Sequence, residues 1–297
     1  MPVESIYKVA KSLQIVVPTD IPTYELPDYL IQEALEKDKE RVLSEYAYAG
    51  NALCYYFRLK KHVAGWQTLL EKSSAIADGR LPKNIYEGEP YLEYVETDEL
   101  TKSIRIRFIY FKGKALLFDP QSRKTKEHLI THHGTAIVRP LSSLFEVRAS
   151  HRRVAKKISY NVAGILSLGS AFSLDLYSFK TIQRFLRWIV SLNNARFEFG
   201  ESEEVSAISI SAKSQIDLRK TKTFQELYGQ GVLRGGHATI ERDRNTVNFR
   251  IFFRDGRVYF TSFSSEDDIL FIAQALEKIS LGTDIYAPER ILDSYFK

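Results

Sequence analysis

Three histidines fall within six residues of one another, His128, His132 and His133 in "EHLITHHGTA". His128 and His132 stand at i and i+4, the spacing at which two imidazoles on one helix face reach a common metal ion. The surrounding "RKTKEHLITHHG" reads as a helix ended by Gly134. Glu127 is adjacent, but no acid at matching distance completes a ligand set, so a surface or nucleic-acid-facing cluster is the better reading. "GQGVLRGG", from Gly229 to Gly236, is glycine-rich. It lacks the Lys-Ser/Thr of a phosphate loop and leads into a strand, which makes it a connection. There is no Gly-x-Ser-x-Gly elbow, no pair of catalytic carboxylates and no Cys–His pair. The sequence therefore predicts no enzyme, no bound metal and no cofactor.

The charge pattern points to a binding protein. Between residues 101 and 160 fourteen basic residues face three acids, Asp119, Glu127 and Glu146, a net +11. The whole chain carries +5, so the rest carries −6. A one-sided distribution of this kind suits an anionic partner, nucleic acid first. A solvated basic helix around Arg152–Lys157 is the alternative for that short segment. The 44% hydrophobic share is enough for a core. No apolar run has the ~18 residues of a membrane span. The N-terminal stretch has no signal-peptide pattern. A single cysteine, Cys54, leaves no disulfide within the chain and suggests a buried apolar role. These features predict an intracellular location, with no membrane partner.

The elements that must position the basic residues read as follows. Residues 1–44 form an N-terminal arm with a helix. Residues 45–146 begin with the β-rich "AYAGNALCYYFRLKK" and a helix closed by Gly79, then give strands in "EPYLEYVETD", "KSIRIRFIYF" and "KALLFD", with Gly113 at a hairpin turn. Residues 147–194 are a helical insert in which Ile182, Phe185, Leu186 and Ile189 make one apolar face. Residues 195–284 give the alternating strand "EEVSAISISA", a short helix "KTFQELYGQG", then strands in "GHATIERD", "TVNFRIFF" and "RVYFTSF". Asp255–Gly256 is a hairpin signal. Ser265 and Asp268 make a capping box before a helix with the stripe Ile269, Ile272, Ala273, Leu276 and Ile279, stopped by Gly282. Residues 285–297 are a tail.

Laid side by side, the two halves repeat. Ile104, Ile106, Phe108 and Tyr110 match Val247, Phe249, Ile251 and Phe253. The predicted fold is α+β: a duplicated strand–helix–antiparallel meander–helix unit. The copies would join in one curved sheet with helices on one face and the other face open.

"RIFFRDGRVYFTSFSSEDD" is where the chain resembles a known family. It is similar to the hairpin-to-helix segment of the TATA-box-binding protein (TBP), whose repeats carry a pattern of the form "ALIFSSGK-apolar-V-x-T-G-A-K-S-E-D/E". Phe253, Gly256, Arg257, Thr261 and Ser265–Glu266 fall on its Phe, Gly, Lys, Thr and Ser–Glu without a gap. "VSAISISAKSQIDLRK" is similar to the first repeat strand of that family. The resemblance covers about 80 residues of the second copy and the hairpin of the first. Its style is nearest to the TBP-like proteins of large DNA viruses. It implies a saddle-shaped sheet that docks on the minor groove of duplex DNA, with Phe wedges that unstack base steps. On matching positions the resemblance implies wedges at Phe253 and at Tyr110 or Phe111, a phosphate contact at Arg257, and groove-facing Tyr259 and Thr261. The chain departs from the pattern where "TGAK" becomes "TSFS", and where Gly236 stands near the place of a second Phe.

Two registers are open for the face that meets DNA. The family register turns the apolar set outward. Burial prefers that set against the helices, because an unpaired Arg in a core costs several kcal/mol. In that second register, which is favoured, Arg105, Arg107, Asn248 and Arg250 line the open face and bind through charge. The function these features predict is a TBP-like transcription initiation factor that docks double-stranded promoter DNA and recruits transcription factors or RNA polymerase subunits. The alternative is a saddle-shaped protein–protein scaffold. A nucleic-acid-processing enzyme using the histidine cluster is a third reading.

Overall fold

The computed structural model describes residues 10, 15–18, 29–30, 33, 52–60, 62–76, 86–99, 102–119, 124–200, 206–213, 216–242, 245–260 and 264–283. The expected N-terminal arm, apart from those few residues, and the tail lie outside the described residues, as does Gly79. The described chain is α+β, with eleven strands and five α-helices. None of these helices is long and apolar enough to cross a membrane. Two compact units divide it: Leu53–Thr181 with Phe252–Val258, and Met1–Ala52 with Ile182–Ile251 and Tyr259–Lys297.

The first unit contains β1 (Leu53–Leu59), α1 (Trp66–Ser74), β2 (Pro90–Asp98), β3 (Ser103–Asp119), β4 (Lys124–Val138), β5 (Leu144–Arg148), α2 (Arg152–Ile165) and β6 (Ala171–Ser173). Its strand order is β2-β3-β4-β5-β1, with β6 also paired to β1, and the paired strands run antiparallel. Alternation decides the faces. Ile104, Ile106, Phe108 and Tyr110 share a buried core with Val154, Ala155, Ile158 and Val162 of α2. Each such side chain contributes about 1.5–3 kcal/mol by leaving water, so the apolar set of β3 belongs to the helix side. Helix α2, expected within an insert, is thus part of this unit's core.

Two expectations are corrected here. Gly113 is not a hairpin turn: β3 runs on to Asp119, and Gly113, with φ 151°, sits at a register shift after Phe111. A β-bulge absorbs the glycine without ending the strand. The segment read as a helix is β4, which pairs with β3 from Val138 opposite Ile104 to Lys124 opposite Asp119. A long ladder overrides a weak helical period. On a strand, four residues span roughly 13 Å, against about 6 Å on a helix, so the helical i, i+4 spacing that suggested a shared ion for His128 and His132 is not formed.

The second unit holds the larger part of α3 (Phe179–Trp188), then β7 (Ser191–Glu198), β8 (Ala207–Ser211), a 3-10 turn at Leu218–Lys220, α4 (Lys222–Gln230), β9 (Val232–Arg242), all of β10 (Asn245–Phe252) but its last residue, the end of β11 (Arg257–Phe260) and α5 (Glu266–Leu281). Its strand order is β10-β9-β7-β8. The predicted stripes of α3 and α5 are buried, as are Val247, Phe249 and Ile251 of β10. The Phe249 ring lies 6.1 Å from Trp188 and 6.3 Å from Phe185. Ser265 caps α5 in a capping box with Asp268, and Gly282 ends it in the left-handed region. After α3, buried Arg219 donates to the carbonyls of Leu186, Ile189 and Val190 and is held by Asp217. It thereby satisfies carbonyls at the helix end.

The two units are wired differently. In the first, the opening strand β1 lies beside the last meander strand β5; in the second, β7 lies beside β9, the first of its meander, and carries the extra strand β8 before its helix. Strand–helix–meander–helix describes the first unit, with four strands in place of three.

The predicted two-residue hairpin is a longer turn, a 3-10 helix at Phe253–Asp255 followed by Gly256 at φ 56°. Within the first unit, the Tyr56 amide donates to the Gly256 carbonyl at 3.0 Å, and a Cβ on Gly256 would fall 2.8 Å from Leu174 Cβ. A side chain there meets both a disfavoured φ and a clash. Gly256→Ala is expected to lower stability by about 2–4 kcal/mol, read from denaturant midpoints. An unchanged midpoint would show that the turn does not require glycine.

Candidate nucleic-acid interface

On β3 the residues opposite the core are Arg105, Arg107, Ile109 and Phe111. Arg105 is 3% exposed, and its Nη2 donates to Asp98 Oδ2 at 2.6 Å. Two strands away, Glu146 is 1% exposed and accepts from Arg148 Nε at 2.9 Å and Arg139 Nη1 at 3.4 Å. Burial pushes the Glu146 carboxyl up, but the Arg148 and Arg139 guanidiniums outweigh it and hold it below its ordinary value. Cys54 and Tyr56 are buried on this face, and the Tyr56 hydroxyl has no hydrogen-bond partner. Its pKa lies well above the ordinary value, because burial disfavours the phenolate. Arg107 is half-buried, ion-paired with Glu93 at 3.1 Å and bonded to the Tyr94 hydroxyl at 3.0 Å. Glu93 also meets His133 Nδ1 at 3.0 Å.

The expectation of an open cationic face is therefore corrected in the first unit. The face is covered around Arg105, and Arg105, Arg107, Arg139 and Arg148 each meet an acid. Burying unmatched guanidiniums would cost far more than the pairs do. The three wedge positions are also corrected. Tyr110 is buried, bonded to Ser150 Oγ at 2.7 Å and stacked on His132. Phe111 is buried near Tyr91, and Phe253 is fully buried in its turn. A wedge must be exposed to enter a base step.

The second unit keeps its polar face accessible. Ala195 and Phe197 of β7 point into the core, while Asn194 and Arg196 alternate with them. Asn194 stands opposite Ser211 of β8 and His237 of β9; Arg196 stands opposite Ser209 and Gly235. Asn194 Nδ2 donates to Ser211 Oγ at 2.8 Å. Next along, Thr239 donates to Asn248 Oδ1 at 2.8 Å. Arg196, Ser209 and Ser211 are exposed; Asn194, His237, Thr239, Asn248 and Arg250 are half-buried. Burial first, then the neighbouring Arg250, holds the His237 imidazole below its ordinary value. The positive charge of this face thus comes from Arg196 and Arg250. Glu198, paired with Arg234, and exposed Glu241 offset part of it.

Of the remaining predicted residues, half-buried Arg257 lies in the first unit, its Cζ 3.8 Å from the centre of the Phe252 ring, and interacts electrostatically with the Tyr55 hydroxyl. Tyr259 is half-buried in the second unit, on the strand side opposite Val258 and Phe260. Thr261 lies outside the described residues. The structure thus brings Asn248 and Arg250 together on one face of the second unit, while Arg105 and Arg107 belong to the first unit. Among the described residues, no group of three or more His, Cys, Asp or Glu is placed to hold a metal ion. No family model matches the chain, and no curated protein matches it.

Two outcomes test this account of the first unit. Asp98→Ala should destabilise by about 3–5 kcal/mol by stranding a buried guanidinium, whereas Asp98→Leu with Arg105→Met should recover most of the loss; calorimetric melting of the three chains measures it. For Glu146, the unfolded carboxyl, near 4.5, takes up its proton before the folded one on acidification. The stabilisation is full above that pH and is lost as pH falls through the lower folded value. Glu146→Gln should flatten the decline of stability with acid below about pH 4.5, and an unchanged slope would contradict the assignment.

Proposed function

We propose that this protein binds double-stranded DNA through the polar face of β8, β7, β9 and β10 in its second unit, as a transcription initiation factor of the TBP-like kind. The observation that carries the reading is the accessible set Arg196, Arg250, Asn194, Ser209, Ser211, Thr239 and Asn248 on one sheet face. Guanidiniums neutralise phosphates, while amides and hydroxyls fix register on the backbone and read groove edges. With Tyr110, Phe111 and Phe253 buried, docking proceeds by charge and hydrogen bonding without aromatic wedges. Polymerase-associated proteins are the partners this role requires. In the first unit the acid-matched arginines on the corresponding face favour the second reading, a surface for protein assembly.

Fluorescence anisotropy on a 20-base-pair duplex, titrated with salt, tests the proposal. Arg196→Ala with Arg250→Ala should weaken binding about tenfold or more and lower the slope of log affinity against log salt by roughly 0.9 per lost phosphate contact. Arg107→Ala should leave it unchanged. Duplex binding indifferent to the double substitution would end the proposal.

A further inference from the structure

Helix α2 carries a surface that the sheet-face reading does not use. Its fourteen residues, "RRVAKKISYNVAGI", contain four cations and no acid. All four lie in the first six residues, toward the positive end of the helix dipole, where cations are disfavoured by about 0.3–1 kcal/mol each. The N-cap residue, His151, makes no side-chain capping bond. Two of the cations are answered: Arg152 by Asp255 at 2.9 Å and Lys157 by Glu89. The other two, Arg153 and Lys156, are exposed and form no ion pair among the described residues. Lys156 Nζ stands 5.8 Å over the ring of Tyr160, which is itself 52% exposed. Arg153, Lys156 and Tyr160 follow at i, i+3 and i+7 and form one stripe, roughly 10 Å long at 1.5 Å per residue.

We infer that this stripe docks a short acidic polypeptide segment carrying an aromatic or large aliphatic residue. Charge complementarity selects the acid: two unmatched cations near an uncapped, positive helix end are the only part of α2 that a counter-charge stabilises. Length selects a peptide. The stripe spans about three extended residues, and Arg152 and Lys157 to either side of it are already paired with Asp255 and Glu89, so the unanswered charge is confined to a length that suits a short segment rather than a continuous phosphate backbone. Tyr160 supplies the apolar contact, since an exposed aromatic beside cations is a common anchor in protein interfaces. The inference is independent of the DNA-docking face.

The probe is a fluorescein-labelled synthetic twelve-residue peptide of Asp and Glu with one central Phe, measured by anisotropy against the full chain, with a 20-base-pair duplex in parallel. Arg153→Glu with Lys156→Glu should weaken peptide binding about tenfold or more, and Tyr160→Ala severalfold, with duplex affinity unchanged in both. Circular dichroism confirms folding, and Lys156→Ala replaces the double variant if that fails to fold. Three results would overturn the inference: no peptide binding by the unaltered chain, peptide binding indifferent to the substitutions, or parallel loss of duplex binding, which would make the stripe a nucleic-acid contact.

Discussion

Successive residues of a strand point to opposite sides, and that one constraint organises both units. On β3 it commits Ile104, Ile106, Phe108 and Tyr110 to the helix side; on β10 it commits Val247, Phe249 and Ile251 likewise. Everything polar on these strands is then forced to the far face. A slip of one residue would put Arg105 and Arg107, or Asn248 and Arg250, against apolar helices, at a cost of several kcal/mol per buried charge. Register is therefore strongly specified, and so is the identity of the polar face in each unit.

The two faces solve the same problem differently. In the first unit the polar face is covered, and a covered cation needs an acid. Asp98 meets Arg105, and Glu146 meets Arg148 and Arg139. Such pairs add little net stability over an apolar replacement but are costly to break singly, which helps hold β2, β3, β4 and β5 in register. In the second unit the face is accessible, and it is built from short hydroxyl and amide side chains in lateral pairs, Asn194 with Ser211 and Thr239 with Asn248.

Much of this was legible from residue order. The alternation in "TVNFRIFF" and "EEVSAISISA" gives β10 and β8, Ser265 with Asp268 gives the start of α5, and the 3.6-residue stripe gives α3. The preference for helix-facing apolar sets follows from the cost of burying Arg alone. What was not legible is long-range. Nothing local in "RKTKEHLITHHG" announces fifteen-residue pairing with β3, and nothing in "FKGK" separates a bulge from a turn. The acids that pair with Arg105 and Arg107 sit on β2, outside the basic stretch of residues 101–160. Glu146 did carry a signal: a lone acid in "LFEVR", an otherwise apolar strand, two residues before an arginine. Asn194, His237 and Thr239 were readable as the polar partners of Ala195, Ala238 and Ile240, but as uncharged residues outside the basic stretch they carry no charge signal.

That difference in chemistry bears on which unit can take a ligand. A guanidinium bonded to a buried carboxylate has its charge already answered, and a ligand phosphate would have to displace the carboxylate and leave it stranded at low dielectric. A neutral amide in a lateral pair keeps capacity in reserve. Asn194 offers two donors and an acceptor oxygen, of which the bond to Ser211 takes one donor. Exposed Arg196, one strand position beyond that pair, brings a charge that water rather than protein solvates, and water is cheaply replaced by phosphate. The proposed docking on the second unit's face draws on this difference, whereas the buried ion pairs of the first unit serve its fold.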